Sequence, residues 1–232
     1  VRKTLTMEEV QKETEVLAGK IGHKRLIMVY GEHPATGADY IAETIKAVYS
    51  VKVKTKKGEA NIRRVNINAA PMSVEDFAKL EKVGVGTYQV FQETYHHETY
   101  DKIHPKGTLK NNYPWRLYSH HRAMEAGIDD VATGVLFGLY DWRFEVMGLQ
   151  YHALELEKRF NGIGPHTVSF PRLQPAKNAP FLLNKKYMVS DEDFKKIVAI
   201  VRLSIPYTGI IITARESAEM RNEIMPLGVT QT

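Results

Sequence analysis

Two periods of apolar residues alternate along the chain. Short apolar runs such as RLIMV (residues 25–29) and GIII (residues 209–212) are typical of strands buried on both faces of a parallel sheet. Between these runs, apolar residues recur every three or four positions, which is the period of a helix with one buried face. Hydroxyl residues suited to helix capping precede three helical stretches, at Thr6, Ser73 and Ser190. Strands and helices are therefore predicted to alternate throughout, as in α/β proteins.

The pattern predicts six full strands and a seventh that begins at Val229. A doubly wound open sheet and a (β/α)8 TIM barrel both fit this number of strands. Polar residues distinguish the two, because they follow the carboxyl ends of nearly all the predicted strands: Glu32, Asn66, Asn68, Gln92, Glu93, Arg172 and Arg215. Side chains from many strands converge on one face in a barrel, whereas in an open sheet they gather mainly at one switch point. We therefore favour a barrel, incomplete here because the pattern begins on a helix and a strand before Thr4 is missing.

Two predicted helices and one predicted loop complete this picture. One helix runs from Met7 to Ile21 and stops at Gly22, and another covers residues 115–127. The segment VKVKTKKGEA (residues 51–60) carries the densest group of lysines and is predicted to be a solvated loop after a helix. No aromatic residues are interleaved with these lysines, so we expect no nucleic-acid partner.

Composition sets further limits. The length of 232 residues suits one large domain or two small ones, and the barrel interpretation takes residues 1–232 as a single domain. Hydrophobic residues make up 43% and charged residues 25%, with a net charge of +5, so a well-packed core is expected. No apolar run approaches the roughly 20 residues that span a bilayer, so we expect no membrane partner. The chain has no cysteine, which excludes disulfides, thiolate zinc sites and thiolate-bound iron–sulfur clusters held by its own residues. It begins with Val1 and shows no signal peptide, and we expect both ends to be cut from a longer protein.

Carboxylates and imidazoles follow two of the predicted strands. In YGEHP, Gly31 permits close backbone approach and Glu32 can accept hydrogen bonds from an ammonium group. In FQETYHH, Glu93 can accept two ribose hydroxyls or a protonated amine, or can act only within a helix cap. His96 and His97 invite a metal-site interpretation, although adjacent residues rarely share one metal.

Arginines form a second group of candidates. Arg116 is predicted near a helix start, where its charge opposes the helix dipole, so an anionic ligand or a structural ion pair should offset it. Arg122 follows on the same stretch. Arg172 and Arg215 end consecutive strands and suggest an acidic or zwitterionic ligand, although Arg172 can equally anchor a loop. His152 lies on one flank of an apolar helix face and is either a satisfied core group or a ligand.

Several longer motifs resemble one known family. These are YGEHP, NINAAPMSVEDFAKL, YQVFQETYH, the run HPKGTLKNNYPWRLYSHHRAMEAGIDDVATGVLFGLYDWR, GPHTVSFPRLQPA and TARESAEMRNEIMPLGVTQT. They are similar to radical S-adenosylmethionine (SAM) tyrosine lyases, above all to those that mature [FeFe]-hydrogenase, with the thiazole-biosynthesis lyases next. The resemblance covers almost the whole chain. The family has a complete TIM barrel, with a three-cysteine loop after the first strand and, in the hydrogenase branch, a C-terminal domain that holds an auxiliary cluster.

The resemblance implies a reaction, cofactors and a site. The cofactors are SAM, a [4Fe-4S] cluster and an auxiliary iron–sulfur cluster, and the reaction cleaves the Cα–Cβ bond of L-tyrosine. Other implied partners are scaffold proteins of hydrogenase maturation, in the cytoplasm of an anaerobic organism. The implied SAM-binding residues are Gly31, Glu32, Glu93, Arg116, Gly134, Val135 and Leu136. Arg215 and Ser217 match the tyrosine site, and His152 matches a histidine near the iron of the auxiliary cluster.

The missing cysteines depart from this family, because neither cluster motif is present. We therefore expect the chain to be the middle of such an enzyme and to be inactive alone. Two alternatives stay open: an amino-acid- or nucleoside-binding barrel that has lost its cluster, and a metal-dependent hydrolase that uses His96, His97 and His166. The second alternative requires these histidines to converge on one ion.

Overall fold

The computed structural model describes residues 3–174 and 185–232. Its strands are β1 (Arg25–Val29), β2 (Val53–Thr55), β3 (Gly58–Ala60), β4 (Arg64–Asn68), β5 (Val85–Gln89), β6 (Val131–Gly134), β7 (Thr167–Ser169) and β8 (Gly209–Ile211). Its α-helices are α1 (Met7–Glu15), α2 (Ala38–Ser50), α3 (Val74–Lys82), α4 (His97–Ile103), α5 (Tyr113–Leu117), α6 (Ser119–Glu125), α7 (Trp142–Arg159), α8 (Asp191–Ser204) and α9 (Ala218–Ile224). None of the helices in these two ranges is long and apolar enough to cross a bilayer.

The strand order confirms the predicted fold class. Six strands form one sheet in the order β1–β4–β5–β6–β7–β8, so each strand of this sheet neighbours the next one along the chain. An open doubly wound sheet would reverse this order at a switch point, whereas a (β/α)8 barrel keeps it. The registered pairs are parallel, for example β1 with β4 and β7 with β8. Gln231 adds a parallel bridge to Ile211, where the seventh strand was predicted to begin. The fold is thus an incomplete parallel α/β barrel.

The chain divides into two compact units, and the first comprises Val1–Gln89 and His121–Asp130. Outward-facing side chains of its strands pack under the helices: the Tyr88 ring of β5 lies edge-on to Phe77 of α3, with centroids 4.6 Å apart. Arg64 on β4 forms an ion pair with Asp130. The predicted single domain over residues 1–232 stays a prediction, and each unit is described by itself.

The second unit comprises Val90–His120 and Val131–Thr232. Alternate residues of its strands form the core with α7 and α8, because successive strand side chains point to opposite faces. Phe170 lies edge-on to Phe137 and Phe194, with centroid distances of 5.8 and 6.1 Å. The other face of β6–β8 is thereby left for small and polar residues such as Gly134 and Ser169.

The prediction of a loop over residues 51–60 is wrong for most of that segment. Val53–Thr55 and Gly58–Ala60 form an antiparallel hairpin. Gly58 makes the turn possible, since its φ of 107° lies in the region that favours glycine, and Thr55 donates its hydroxyl to the Gly58 carbonyl at 2.8 Å. The alternation of Val53, Lys54 and Thr55 is too short a pattern to have distinguished a strand from a loop.

Two predicted helices are each divided. The first ends as α-helix at Glu15 and continues as a π-helix over Val16–Ile21, before Gly22 terminates it with a φ of 90°. The second is split at Tyr118 into α5 and α6. The consequence for the site is that Arg116 lies in a five-residue helix rather than near the start of a long one.

Candidate functional site

Glu93 has an unusual backbone. Its φ of 69° places a non-glycine residue in the left-handed region, which costs about 1–2 kcal/mol for an L-residue. The residue also joins the end of the neighbouring strand: it forms a parallel bridge with Val135, and its carbonyl accepts from Leu136 N at 2.9 Å. The carboxylate is therefore held at the carboxyl end of two adjacent strands, the edge at which barrel sites form.

Arg116 is the partner of this carboxylate. Its Nη2 donates to Glu93 Oε1 at 3.2 Å, and its Nε donates to the Phe91 carbonyl at 2.6 Å. The Arg116 side chain is only 9% exposed, whereas the Glu93 side chain is 26% exposed. Asn112 caps the helix that presents Arg116 by accepting from Trp115 N. The offsetting anion expected for Arg116 is thus supplied by the chain itself.

The electrostatics of Glu93 follow from this placement. Burial raises its pKa above the ordinary value for a glutamate, and the charges of Arg116 and Lys110 oppose that rise. A second hydrogen-bond donor or cation at the exposed side of this carboxylate would therefore stabilise its ionised form. Hydroxyl and ammonium groups have this character.

The segment from Gly134 to Leu136 passes close to these groups. A Cβ on Gly134 would lie 2.4 Å from both the Phe91 ring and the Ser169 carbonyl, so only glycine fits there. Val135 is fully buried in the apolar core, and only its backbone is available to a ligand at the site. Leu136 is half-buried.

Gly31 and Glu32 belong to the first unit, directly after β1. Both are exposed. The Gly31 carbonyl accepts from Thr36 Oγ1 at 2.9 Å. Gly31 also lines a cavity of about 310 Å³ beside β1 and α2. The roles predicted for these two residues stay predictions.

The two strand-end arginines have different surroundings. Arg172 makes a two-pronged contact with the buried Glu216, at 2.9 and 2.7 Å, and also pairs with Asp191 at 2.6 Å. These contacts favour the loop-anchor interpretation of Arg172. Arg215 is exposed and donates from Nε to Thr213 Oγ1 at 3.4 Å, and it forms no ion pair within residues 3–174 and 185–232. Its guanidinium therefore remains available to a ligand.

Ser217, the second residue matched to the tyrosine site, caps α9. Its hydroxyl oxygen accepts from Met220 N at 3.0 Å. The hydroxyl proton can still be donated, because a capping serine uses only its oxygen as acceptor.

The histidines do not assemble into a metal site. Within the described ranges, no three histidines, aspartates or glutamates are arranged to hold an ion. His96 caps α4 by accepting from Thr99 N and stacks on Tyr140 at 3.7 Å. His97 stacks on Tyr113 at 3.8 Å. These contacts give both residues roles in packing, and no observation supports the hydrolase alternative.

His152 is buried on α7. Its Nδ1 lies 2.9 Å from the Tyr95 hydroxyl, and its ring centroid lies 5.2 Å from that of His120. The predicted role near an auxiliary-cluster iron stays a prediction, and the structure places the ring among protein groups.

Glu145 was missed by sequence reasoning. It is fully buried on α7, where it accepts from the Thr94 hydroxyl and, at 2.7 Å, from Tyr95 N. Burial raises its pKa to about 7. One indication was present in the sequence: Glu145, Leu149, His152 and Leu156 recur at helical spacing, so a carboxylate occupies a core position of the helix.

Comparison with known proteins places these features in a family. The model of the radical SAM superfamily matches residues 1–146, more than half of the chain. The model of the biotin and thiamin synthesis associated domain matches residues 169–232.

Similar individual proteins agree with these matches. A HydG maturase of the [FeFe]-hydrogenase has 50% identity and a TM-score of 0.92, covering 100% of this chain and 50% of its own. HydG of Carboxydothermus hydrogenoformans has 44% identity and a TM-score of 0.88, covering 100% and 51%. The 2-iminoacetate synthase of Salmonella typhimurium is 30% identical over 98% of this chain and 57% of its own. The chain thus spans about half the length of these relatives. It belongs to the radical SAM superfamily.

Proposed function

We propose that this chain is the barrel portion of a radical SAM lyase that cleaves the Cα–Cβ bond of tyrosine to dehydroglycine and p-cresol. In this proposal the full-length enzyme feeds carbon monoxide and cyanide synthesis for the [FeFe]-hydrogenase cluster. The observation that carries it is the 50% identity to a HydG maturase over 100% of this chain, against 30% to a 2-iminoacetate synthase over 98%.

The Glu93–Arg116 pair supports a cosubstrate site for SAM. SAM carries a carboxylate, an ammonium group and two ribose hydroxyls. The described contacts of Arg116 use Nε and Nη2, so Nη1 remains to donate to a ligand carboxylate in a charge-assisted bond. Glu93 has a second carboxylate oxygen for a hydroxyl or an amine, because its described contact with Arg116 uses only Oε1. Glu32 is the proposed acceptor for the ammonium group.

The iron–sulfur clusters do not fit the residues of this chain. The family's [4Fe-4S] cluster supplies the electron that generates the radical, but the 232 residues include no cysteine to bind it. Both this cluster and the auxiliary cluster would need ligands from other parts of the full-length enzyme. What this chain supplies is binding and orientation of the two organic reactants.

Arg215 and Ser217 are the proposed tyrosine ligands. A guanidinium without an ion-pair partner in the described ranges suits the substrate carboxylate, and the Ser217 hydroxyl can donate a second hydrogen bond. Scaffold proteins of hydrogenase maturation are the proposed macromolecular partners of the full-length enzyme.

A second candidate is the 2-iminoacetate synthase of thiazole biosynthesis, which the weaker match at 30% identity supports. Both candidates produce p-cresol, and they differ in the fate of dehydroglycine.

The test uses the full-length enzyme with reconstituted clusters, incubated with tyrosine and SAM. The proposal expects deoxyadenosine, p-cresol and cyanide. Deoxyadenosine without p-cresol would contradict tyrosine cleavage, and p-cresol without cyanide or carbon monoxide would favour the thiazole enzyme. The chain of 232 residues alone should form none of these products, because it cannot bind a cluster through cysteine.

A further inference from the structure

We propose that Glu145 is a positioning residue for the cosubstrate site: it fixes the Thr94–Tyr95 segment and thereby holds Glu93 in its left-handed conformation. This inference rests on the proposed function, since it assigns Glu145 to the site that the Glu93–Arg116 pair would form.

One buried carboxylate holds two consecutive residues. The Thr94 hydroxyl donates to Glu145 Oε1, and Tyr95 N donates to Glu145 Oε2 at 2.7 Å. Both donors come directly after Glu93 in the sequence. One buried carboxyl thus bonds to a side chain and to the backbone of consecutive residues, which restrains the segment more firmly than a single hydrogen bond would.

The helix carries two further contacts to the same segment. A Cβ on Gly148 would lie 2.5 Å from Tyr95 Cγ, so the glycine permits the ring to lie against the helix. One turn later, His152 Nδ1 lies 2.9 Å from the Tyr95 hydroxyl. Glu145, Gly148 and His152 are spaced by three and four positions, which puts them on one face of α7. This α7 face thus contacts the backbone, the ring and the hydroxyl of the segment.

Glu93 depends on such support. A non-glycine residue in the left-handed region persists only when its surroundings hold it there. On one side, the Glu93 carbonyl accepts from Leu136 N at 2.9 Å. On the other side, the next two residues are bonded to Glu145. Loss of either restraint lets Glu93 relax toward negative φ, and its carboxylate then turns away from Arg116.

The experiment measures SAM affinity by calorimetry in the full-length enzyme. Glu145→Gln and Thr94→Val each remove or weaken part of the contact and should weaken SAM binding by about tenfold, a loss close to that of one hydrogen bond. Thr94→Ser keeps the hydroxyl and should retain wild-type affinity. Glu157→Gln is the matched control: the same substitution on the same helix, at a carboxylate that accepts from Tyr207 instead.

Tyrosine affinity separates a loss of positioning at the SAM site from a general weakening of the folded protein. If Glu145 acts by positioning, Glu145→Gln and Thr94→Val lose SAM affinity while their tyrosine affinity stays within about twofold of wild type. A twofold change is smaller than the effect of losing one hydrogen bond. Parallel losses of both affinities, or failure of Thr94→Ser to restore binding, would overturn the inference. If Glu145→Gln does not fold, the Thr94 pair decides alone.

Arg116→Ala distinguishes this inference from the proposed function. If Arg116→Ala loses SAM affinity while Glu145→Gln and Thr94→Val bind normally, the cosubstrate site stands and the role of Glu145 is wrong. If Arg116→Ala also binds normally, the proposed site itself is wrong.

Discussion

Arg116 Nη2 lies 3.2 Å from Glu93 Oε1, in an ion pair between residues 23 positions apart in the sequence. A nearly buried guanidinium requires such a partner, because burial of an unpaired charge is costly. Both side chains can still bind a ligand, because Arg116 Nη1 and Glu93 Oε2 take no part in the described contacts. A structural ion pair and a ligand site are therefore compatible here.

Replacement of Arg116 should weaken SAM binding. In the full-length enzyme, Arg116→Ala should cost about 2–5 kcal/mol, partly because the ligand carboxylate is left unpaired. Arg116→Lys should fall between Ala and wild type, since an ammonium group lacks the planar fork that serves Phe91, Glu93 and a ligand together. Calorimetry measures all three proteins, and unchanged affinity in both variants would remove Arg116 from the site.

Glycine and alanine at position 93 should differ in stability. Both Glu93→Gly and Glu93→Ala lose the carboxylate and should lose SAM affinity. Alanine still has to adopt the left-handed φ of 69°, whereas glycine adopts it freely. After allowance for the greater freedom of glycine in the unfolded chain, Glu93→Gly should be more stable by about 1 kcal/mol. Equal stability of the two variants in denaturant unfolding would show that position 93 carries no such strain.

Much of the fold was predictable because strand and helix periods are local properties of the sequence. The alternation of elements and the polar strand ends sufficed to favour a barrel, and the sequential strand order confirms it. The hairpin at Val53–Ala60 was not predicted, since three-residue strands carry too little periodicity. The division of the helix at Tyr118 has no marker such as proline or glycine at that position.

The site was predictable only as a set of residues. Glu93 and Arg116 were identified, but their pairing depends on three-dimensional proximity across 23 positions. For the same reason the anchoring of Arg172 by Glu216, 44 positions away, could not be separated from a ligand role. Glu145 reaches Tyr95 across 50 positions, so its helical spacing could indicate a core position but not the partner.

Glu145 should give the enzyme a pH-dependent stability that Glu145→Gln lacks. Burial raises its folded-state pKa from 4.5 to about 7. A carboxyl with a raised folded pKa contributes stability that is fully present below pH 4.5 and is lost as the pH rises through 7. The loss is of the order of 3 kcal/mol.

The measurement is the unfolding temperature of both proteins between pH 5 and pH 8. Wild type should lose more stability over this interval than Glu145→Gln. Asp141 and Tyr95 act on the carboxyl, and His152 contacts Tyr95. All three are common to both proteins, so the difference isolates Glu145. Parallel curves would show that Glu145 does not titrate in this interval.

Arg215 should position tyrosine rather than merely attract it. It lies in a turn four residues after the end of β8, and its backbone N–H donates to Thr213 Oγ1 at 3.3 Å, which restrains the turn. Glu216, the neighbouring carboxylate that could have formed an ion pair with Arg215, is already bound to Arg172. Hydrogen abstraction needs the tyrosine within near contact of the deoxyadenosyl carbon that takes the hydrogen. Small misplacements of the substrate therefore lower the rate strongly. Lysine is a point charge on a flexible stem and cannot reproduce the two-donor fork of arginine.

Arg215→Lys in the full-length enzyme should therefore keep SAM affinity but form less p-cresol for each deoxyadenosine. The ratio of these two products is the measurement, because it separates loss of positioning from loss of radical generation. Arg221→Lys on α9 is the matched control and should keep the wild-type ratio, since it makes the same change on a helix that follows the site. A wild-type ratio in Arg215→Lys would show that the planar fork is not needed. Equal loss of both products would instead place Arg215 at the SAM site, because tyrosine misplacement alone leaves unproductive cleavage intact.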